Sequence, residues 1–135
     1  MTEQLTGDGG DSIDSVEREL GRLRRVTGVV GALVASTDGR AVSCDLAEQS
    51  PGAAAAITAS SLGLAARLGE LTGAEARLQE LQARTTQGYV CLYAIGDDWL
   101  LAVLTDLSVN LARLKLDVRE IVGEIGLAAA RARSG

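Results

Sequence analysis

Two apolar runs of strand length, Gly88 to Ile95 and Trp99 to Thr105, flank the short polar break Gly96-Asp97-Asp98. That arrangement predicts a β-hairpin. In the first run Tyr89, Cys91, Tyr93 and Ile95 alternate with Val90, Leu92 and Ala94, so the strand is apolar on both faces. Such a strand must be covered front and back, by helices on each side of its sheet or by a second subunit. The hairpin therefore points to a three-layer α/β domain. Val29 to Ala35 has the same character: Val30, Ala32 and Val34 alternate with Val29, Leu33 and Ala35, which places a second strand in the sheet interior.

A chain of 135 residues buries roughly two thirds of its unfolded surface, enough for a core without disulfides or metal. The core must be aliphatic, because the sequence has no Phe, one Trp and two Tyr. A net charge of −5 with no basic block argues against nucleic acid as a partner, since phosphate binding needs clustered Lys and Arg. An anionic membrane surface is disfavoured for the same reason. No uncharged apolar stretch reaches the roughly eighteen residues of a membrane-spanning helix. The first residues lack a signal-peptide core, which predicts a cytoplasmic protein. Richness in Ala, Gly and Arg matches GC-rich bacterial coding. There is no histidine, and Cys44 and Cys91 form no CxxC pair; zinc is not expected, and both thiols read as small apolar residues of strands in a reducing compartment. No cofactor is expected.

Residues 1–11, rich in Gly and Asp, predict a disordered tail, and residues 12–132 a single domain. Asp11 or Ser12 is placed to cap a first helix with Ile13, Val16, Leu20 and Leu23 on one stripe. Val29 to Ala35, an Asp38-Gly39 turn and Ala41 to Asp45 form a hairpin. Ser50-Pro51 opens a second helix and Gly73 stops it. Glu75 to Thr85 makes a third, polar strand whose phase slips between Leu78 and Leu81, predicting a bulge near Glu80 and an edge position. The Gly88 to Thr105 hairpin and a last helix, burying Leu111, Leu114, Val118, Ile121, Val122 and Ile125, complete the order α-β-β-α-β-β-β-α.

The second helix carries two stripes. At about 100° per residue, Ile57, Ser61, Leu64, Leu68 and Leu71 share one side, suited to the sheet. Ala56, Ala59, Ser60, Gly63, Ala66, Arg67 and Glu70 share a neighbouring one, small at one end and charged at the other. Small side chains permit close approach of another surface, and a mid-helix glycine costs about 1 kcal/mol relative to alanine. The plainer reading is that alanine merely favours helix and Gly63 is tolerated.

Val26-Thr-Gly-Val-Val-Gly-Ala-Leu-Val-Ala-Ser-Thr-Asp-Gly39, the alanine-rich second helix, and Leu100-Leu-Ala-Val-Leu104 followed by Asn110-Leu111 together resemble the roadblock / dynein light-chain family. The similarity is strongest to bacterial members that accompany Ras-like GTPases, and it spans about residues 12 to 130. With the element order it implies a three-layer α/β sandwich of profilin-like topology: a five-stranded, mainly antiparallel sheet with one helix on one face and two on the other. It further implies a homodimer in which second helices pack together and third strands join edge to edge. Its partner-contact or dimer-seam candidates are Ala56, Ala59, Ser60, Gly63, Ala66, Arg67 and Glu70 on the second helix, with Leu78, Glu80 and Leu81 at the third strand.

Catalytic constellations are not apparent. Gly96-Asp97-Asp98 has good turn chemistry and no further acidic ligands. Gly28-Val-Val-Gly31 opens a strand, where a dinucleotide fingerprint would open a helix. No Walker A sequence is present, and Ser60, Ser61 and Lys115 have no motif linking them. The resemblance therefore implies a non-catalytic homodimeric regulator or scaffold that binds a small Ras-like GTPase and modulates its switch, by reshaping the GTPase and not by inserting Arg67 as an arginine finger. A sensor kinase is a further partner to consider. The alternative is a small-ligand sensor or signalling adaptor of profilin/longin-like fold; a weak enzyme ranks last for want of histidine.

Overall fold

The computed structural model describes residues 11–47 and 50–134. Its elements are α1 (Asp11–Arg24), β1 (Val29–Ser36), β2 (Ala41–Asp45), α2 (Pro51–Gly69) extended by a 3-10 turn (Glu70–Thr72), β3 (Glu80–Arg84), β4 (Gly88–Ile95), β5 (Trp99–Asp106) and α3 (Leu111–Ser134). The expected element order is present. The tail expected over residues 1–11 lies outside the described residues except for Asp11, which begins α1.

The five strands form one sheet in the order β2-β1-β5-β4-β3, with every neighbouring pair antiparallel. β5 lies at the centre because both of its faces are apolar: Leu101 and Val103 point to one side, Leu100 and Ala102 to the other. On the first side, Val16, Leu20 and Leu23 of α1 and Leu114, Val118, Ile121 and Ile125 of α3 close over Ala32, Val34, Cys91, Ile95, Leu101 and Val103. On the second, α2 supplies Ala55 and Leu62 against Leu33, Ala35, Leu92, Leu100 and Ala102. Two helices on one face and one on the other is the layering the sequence implied.

Local chemistry sets the boundaries. The Ser50 hydroxyl accepts the Ala53 amide at 3.4 Å and Pro51 opens α2, a capped start that satisfies an otherwise orphaned donor. Asn110 does the same for α3, its side-chain oxygen accepting the Arg113 amide at 3.1 Å. Two glycines are required by space. A Cβ on Gly88 would stand 1.7 Å from the Thr105 carbonyl oxygen, and Gly28, at φ +94°, would press one within 2.6 Å of the Val109 backbone.

Four expectations need correction. Ser12 is no cap: it lies inside α1, buried. β3 begins at Glu80, not Glu75, and pairs in regular register from Glu80↔Tyr93 to Arg84↔Tyr89, so there is no bulge near Glu80. The apparent slip arises because Leu78 precedes the strand, in a loop whose two-residue rhythm is not imposed by a ladder. The sheet's irregularities lie in β1, between Val29 and Gly31 and between Val34 and Ala35. The first of them turns Val30 outward, 49% exposed, where alternation had placed it inside. Finally, Ile57, Leu64, Leu68 and Leu71 of α2 do not lie on the sheet.

Candidate interaction surface on the second helix

The face of α2 that meets the sheet is Ala55, Thr58 and Leu62, all buried, with Ala54, Ala59 and Ala66 half-buried beside them. These residues have little bulk because the sheet beneath supplies it: Leu33, Leu92 and Leu100 fill the space. On the opposite side of the helix, Ile57, Leu64, Leu68 and Leu71 are 64%, 65%, 69% and 83% exposed. The predicted stripe is real, but it is turned away from the core. With Ser61 it follows the alternating spacing of four and three residues that marks a helix-pairing seam. A helix apolar nearly all round needs two burial partners, and the sheet provides one.

Of the predicted contact residues, Ala56, Ser60, Gly63, Arg67 and Glu70 are exposed or nearly so along the flank of this stripe. Ala59 and Ala66 turn partly toward the sheet and are half-buried. A Cβ on Gly63 would meet nothing within 4 Å, so nothing inside the chain requires glycine there. Leu78 and Leu81 are half-buried against the α2-side core, whereas Glu80 is exposed. α2 packs chiefly across β1 and β2, leaving Leu81, Val90 and Ala94 of β3 and β4 half-buried and Ala83 exposed on the same face. β3 pairs with β4 alone, so its other edge carries free backbone groups. The site thus combines an apolar helix ridge, an incompletely covered sheet face and an open strand edge, all on one side. Sequence reasoning missed Ile57, Leu64, Leu68 and Leu71 as members of it.

The chemical alternatives resolve into structural roles. Asp97 pairs with Arg77 at 2.5 Å and Asp98 with Arg133 at 2.8 Å, while the Asp98 carbonyl accepts the Thr37 amide; these carboxylates fasten a turn. No cluster of metal-ligating side chains occurs among the described residues, and no helix among them is long and apolar enough to cross a membrane. Lys115 stands on α3, across the sheet from Ser60 and Ser61 on α2, so no Ser-Lys pair forms. Cys44 and Cys91 are free thiols on opposite faces of the sheet, and burial raises both above the ordinary thiol range. Tyr93 is raised as well, first by burial and then by its contact with Cys91. It floors an open groove of about 560 Å³ between α3 and the β3 edge, where Glu80, Lys115 and Arg119 also converge.

The fold is a three-layer α/β domain in which α2 carries large apolar side chains on the side away from the sheet. The Roadblock/LC7 domain family model matches residues 16–105, and the chain belongs to that family. The match runs from α1 through β5 and stops before α3. Among solved structures, the gliding protein MglB from Thermus thermophilus superposes with a TM-score of 0.80 at 21% identity, over 88% of this chain and 91% of that one. An MglB with a tetrameric arrangement gives 0.82 at 22% identity, over 90% and 92%. MglB from Myxococcus xanthus gives 0.81 at 16%, over 89% and 91%. At these identities the likeness is one of fold. No protein of curated function matches the sequence.

Proposed function

We propose that this protein is a non-catalytic homodimeric regulator or scaffold that binds a small Ras-like GTPase and modulates its nucleotide switch in the bacterial cytoplasm. The observation that carries the reading is the outward stripe of Ile57, Leu64, Leu68 and Leu71 on α2. A second copy offers the matching ridge, and pairing two of them removes eight large apolar side chains from water. The free β3 edge lies on the same side and can extend the sheet into the partner. Self-association is further supported by the relative with a tetrameric arrangement. The GTPase assignment is supported by family membership and by the fold likeness to MglB. Ala56, Ser60, Gly63, Arg67 and Glu70 border the stripe and are the contacts left over for a partner once two α2 ridges have paired.

The test is equilibrium binding of the chain to Ras-like GTPases of its own genome, loaded with GDP or a GTP analogue, followed by single-turnover hydrolysis. Nucleotide-dependent binding that is lost on Gly63→Arg supports the assignment. Absence of binding to any such GTPase in either state overturns it. A large rate loss in Arg67→Ala with binding intact would instead make Arg67 a direct participant in hydrolysis. A second reading, a small-ligand sensor, is favoured by the groove that brings together Tyr93, Glu80, Lys115 and Arg119. Its mark is a metabolite that protects Tyr93 and leaves GTPase binding unaltered. Capture of a sensor kinase in place of a GTPase would keep the scaffold role and change its partner.

A further inference from the structure

We infer that the outward ridge of α3 is a second self-association surface, occupied by α3 of another copy lying antiparallel to it. The inference is independent of the GTPase reading, and the surface lies on the opposite face of the sheet from α2.

α3 buries Leu114, Val118, Ile121, Ile125 and Ala128. On its opposite side Leu116 and Leu127 are 63% and 57% exposed. With Gly123 and Ala130 they keep the alternating four- and three-residue spacing of a pairing seam, in which Glu120 is the polar member. The Glu120 carboxylate, largely exposed, accepts a hydrogen bond from Arg22 of α1 at 2.7 Å, which offsets its charge. Gly123 sits in mid-helix, where glycine is the least favourable residue after proline. A Cβ there would meet nothing within 4 Å, so the chain's own packing does not account for it. Close approach of a second helix does.

Charge selects the orientation. Near the middle of the exposed face Arg119 stands five residues before Glu124, with Arg113 and Lys115 toward the start of the helix and Arg131 and Arg133, bonded to Ser15 and Asp98, toward its end. Parallel pairing would set like against like. Antiparallel pairing about a two-fold axis between Ile121 and Val122 sets Leu116 against Leu127 of the second copy, Arg119 against Glu124, and the bulk of Glu120 against the space left open at Gly123. Both leucines find an apolar partner and both charges an opposite one, twice over by symmetry. With α2 paired on the other face, each copy can hold two neighbours at once, and the assembly grows beyond a dimer.

The test uses sedimentation velocity of the full chain in a Leu64→Ala/Leu68→Ala background, which removes the α2 ridge. The expected result is a residual, salt-sensitive dimer. In that background Arg119→Glu and Glu124→Arg each weaken it about tenfold, because two attractions become repulsions. The double reversal Arg119→Glu/Glu124→Arg restores it, since the opposed charges have only exchanged places. Wild-type chain should form species larger than a dimer, and Leu116→Ala/Leu127→Ala should leave dimers. Should the background variant fail to fold, the same reversals in the wild-type chain read the loss and recovery of the larger species. A double reversal as weak as the single ones overturns the antiparallel register. A wild-type chain that never exceeds a dimer, or whose larger species ignore changes on α3, overturns the surface.

Discussion

Replacing Leu64 and Leu68 together by alanine separates a helix ridge that pairs from one that is merely wet. Both side chains are about two-thirds exposed. Full burial of a leucine is worth ~1.5–3 kcal/mol, so covering the exposed share of each recovers about 1–2 kcal/mol. Four such side chains meet in a symmetric dimer, for a gross contribution of roughly 4–8 kcal/mol. Alanine keeps its Cβ, so the lower end applies, and at ~1.4 kcal/mol per decade the dissociation constant rises about a thousandfold. The fold of each protomer should barely notice, because substitutions of outward side chains usually change stability by no more than ~0.5 kcal/mol. Sedimentation equilibrium over a wide concentration range reads the association, and circular dichroism at high dilution reads the fold. A double variant that keeps the wild-type mass at every concentration refutes the ridge as an interface. One that unfolds when monomeric refutes the outward orientation, since it would place these leucines on the protomer's own sheet.

Three further outcomes follow from local geometry. Gly88→Ala should destabilise the chain severely, by several kcal/mol, because the new methyl falls on the Thr105 carbonyl in the paired backbone of β4 and β5; urea unfolding checks it, and a midpoint near wild type would show that the strands can part there. Native Cys44, half-buried, should react with a thiol reagent faster than Cys91, buried under α3, and the two should react alike in urea; equal native rates would contradict the layering. Asp38 is held below the usual carboxylate range, first by the Ser36 hydroxyl bonded to it and also by Arg40. A depressed carboxylate contributes stability that is present above its unfolded value, about pH 4, and is lost as pH falls through the folded value. Ser36→Ala should therefore raise the Asp38 titration measured by NMR and remove that contribution above about pH 5, while stability at low pH, where the carboxyl is protonated folded and unfolded alike, stays as in wild type; an unmoved titration would remove Ser36 as the cause.

The architecture was legible because β4 and β5 are apolar on both faces. That property forces a buried sheet, and the 3.6-residue stripes of α1 and α3 supply one of its covers. The boundary marked by side-chain chemistry at Ser50-Pro51 was legible too, whereas the Asn110 cap of α3 was not picked out. β3 was overextended because Leu78 and Leu81 belong to the same core without belonging to the same ladder. Val30 was misplaced because a shift of pairing between Val29 and Gly31 leaves no mark in the hydropathy of the strand. The phase of α2 was wrong for a different reason. Periodicity locates an apolar stripe but does not say what covers it, and the larger residues were assigned to the sheet. Leu33, Leu92 and Leu100 had already filled that space, so the sheet accepted Ala55, Thr58 and Ala59 instead.

The error on α2 carries information about function. When the bulk of an interface comes from the sheet, the helix above it is free to display its own bulk outward, and α2 shows Ile57, Leu64, Leu68 and Leu71 there. Four large side chains left in water are a standing cost to solubility, tolerable where a partner covers them. The signal for this was already in the sequence: α2 is apolar on its alanine stripe as well as on its leucine stripe, and a helix over a single sheet requires only one. Charge tells the same story from the other side. Asp97 and Asp98 are spent on Arg77 and Arg133, and Glu19 and Glu120 on Arg22, which leaves the chain's distinctive surface apolar. Under the proposed pairing of two α2 ridges, specificity for a further partner falls to the residues that rim them, Ala56, Ser60, Gly63, Arg67 and Glu70.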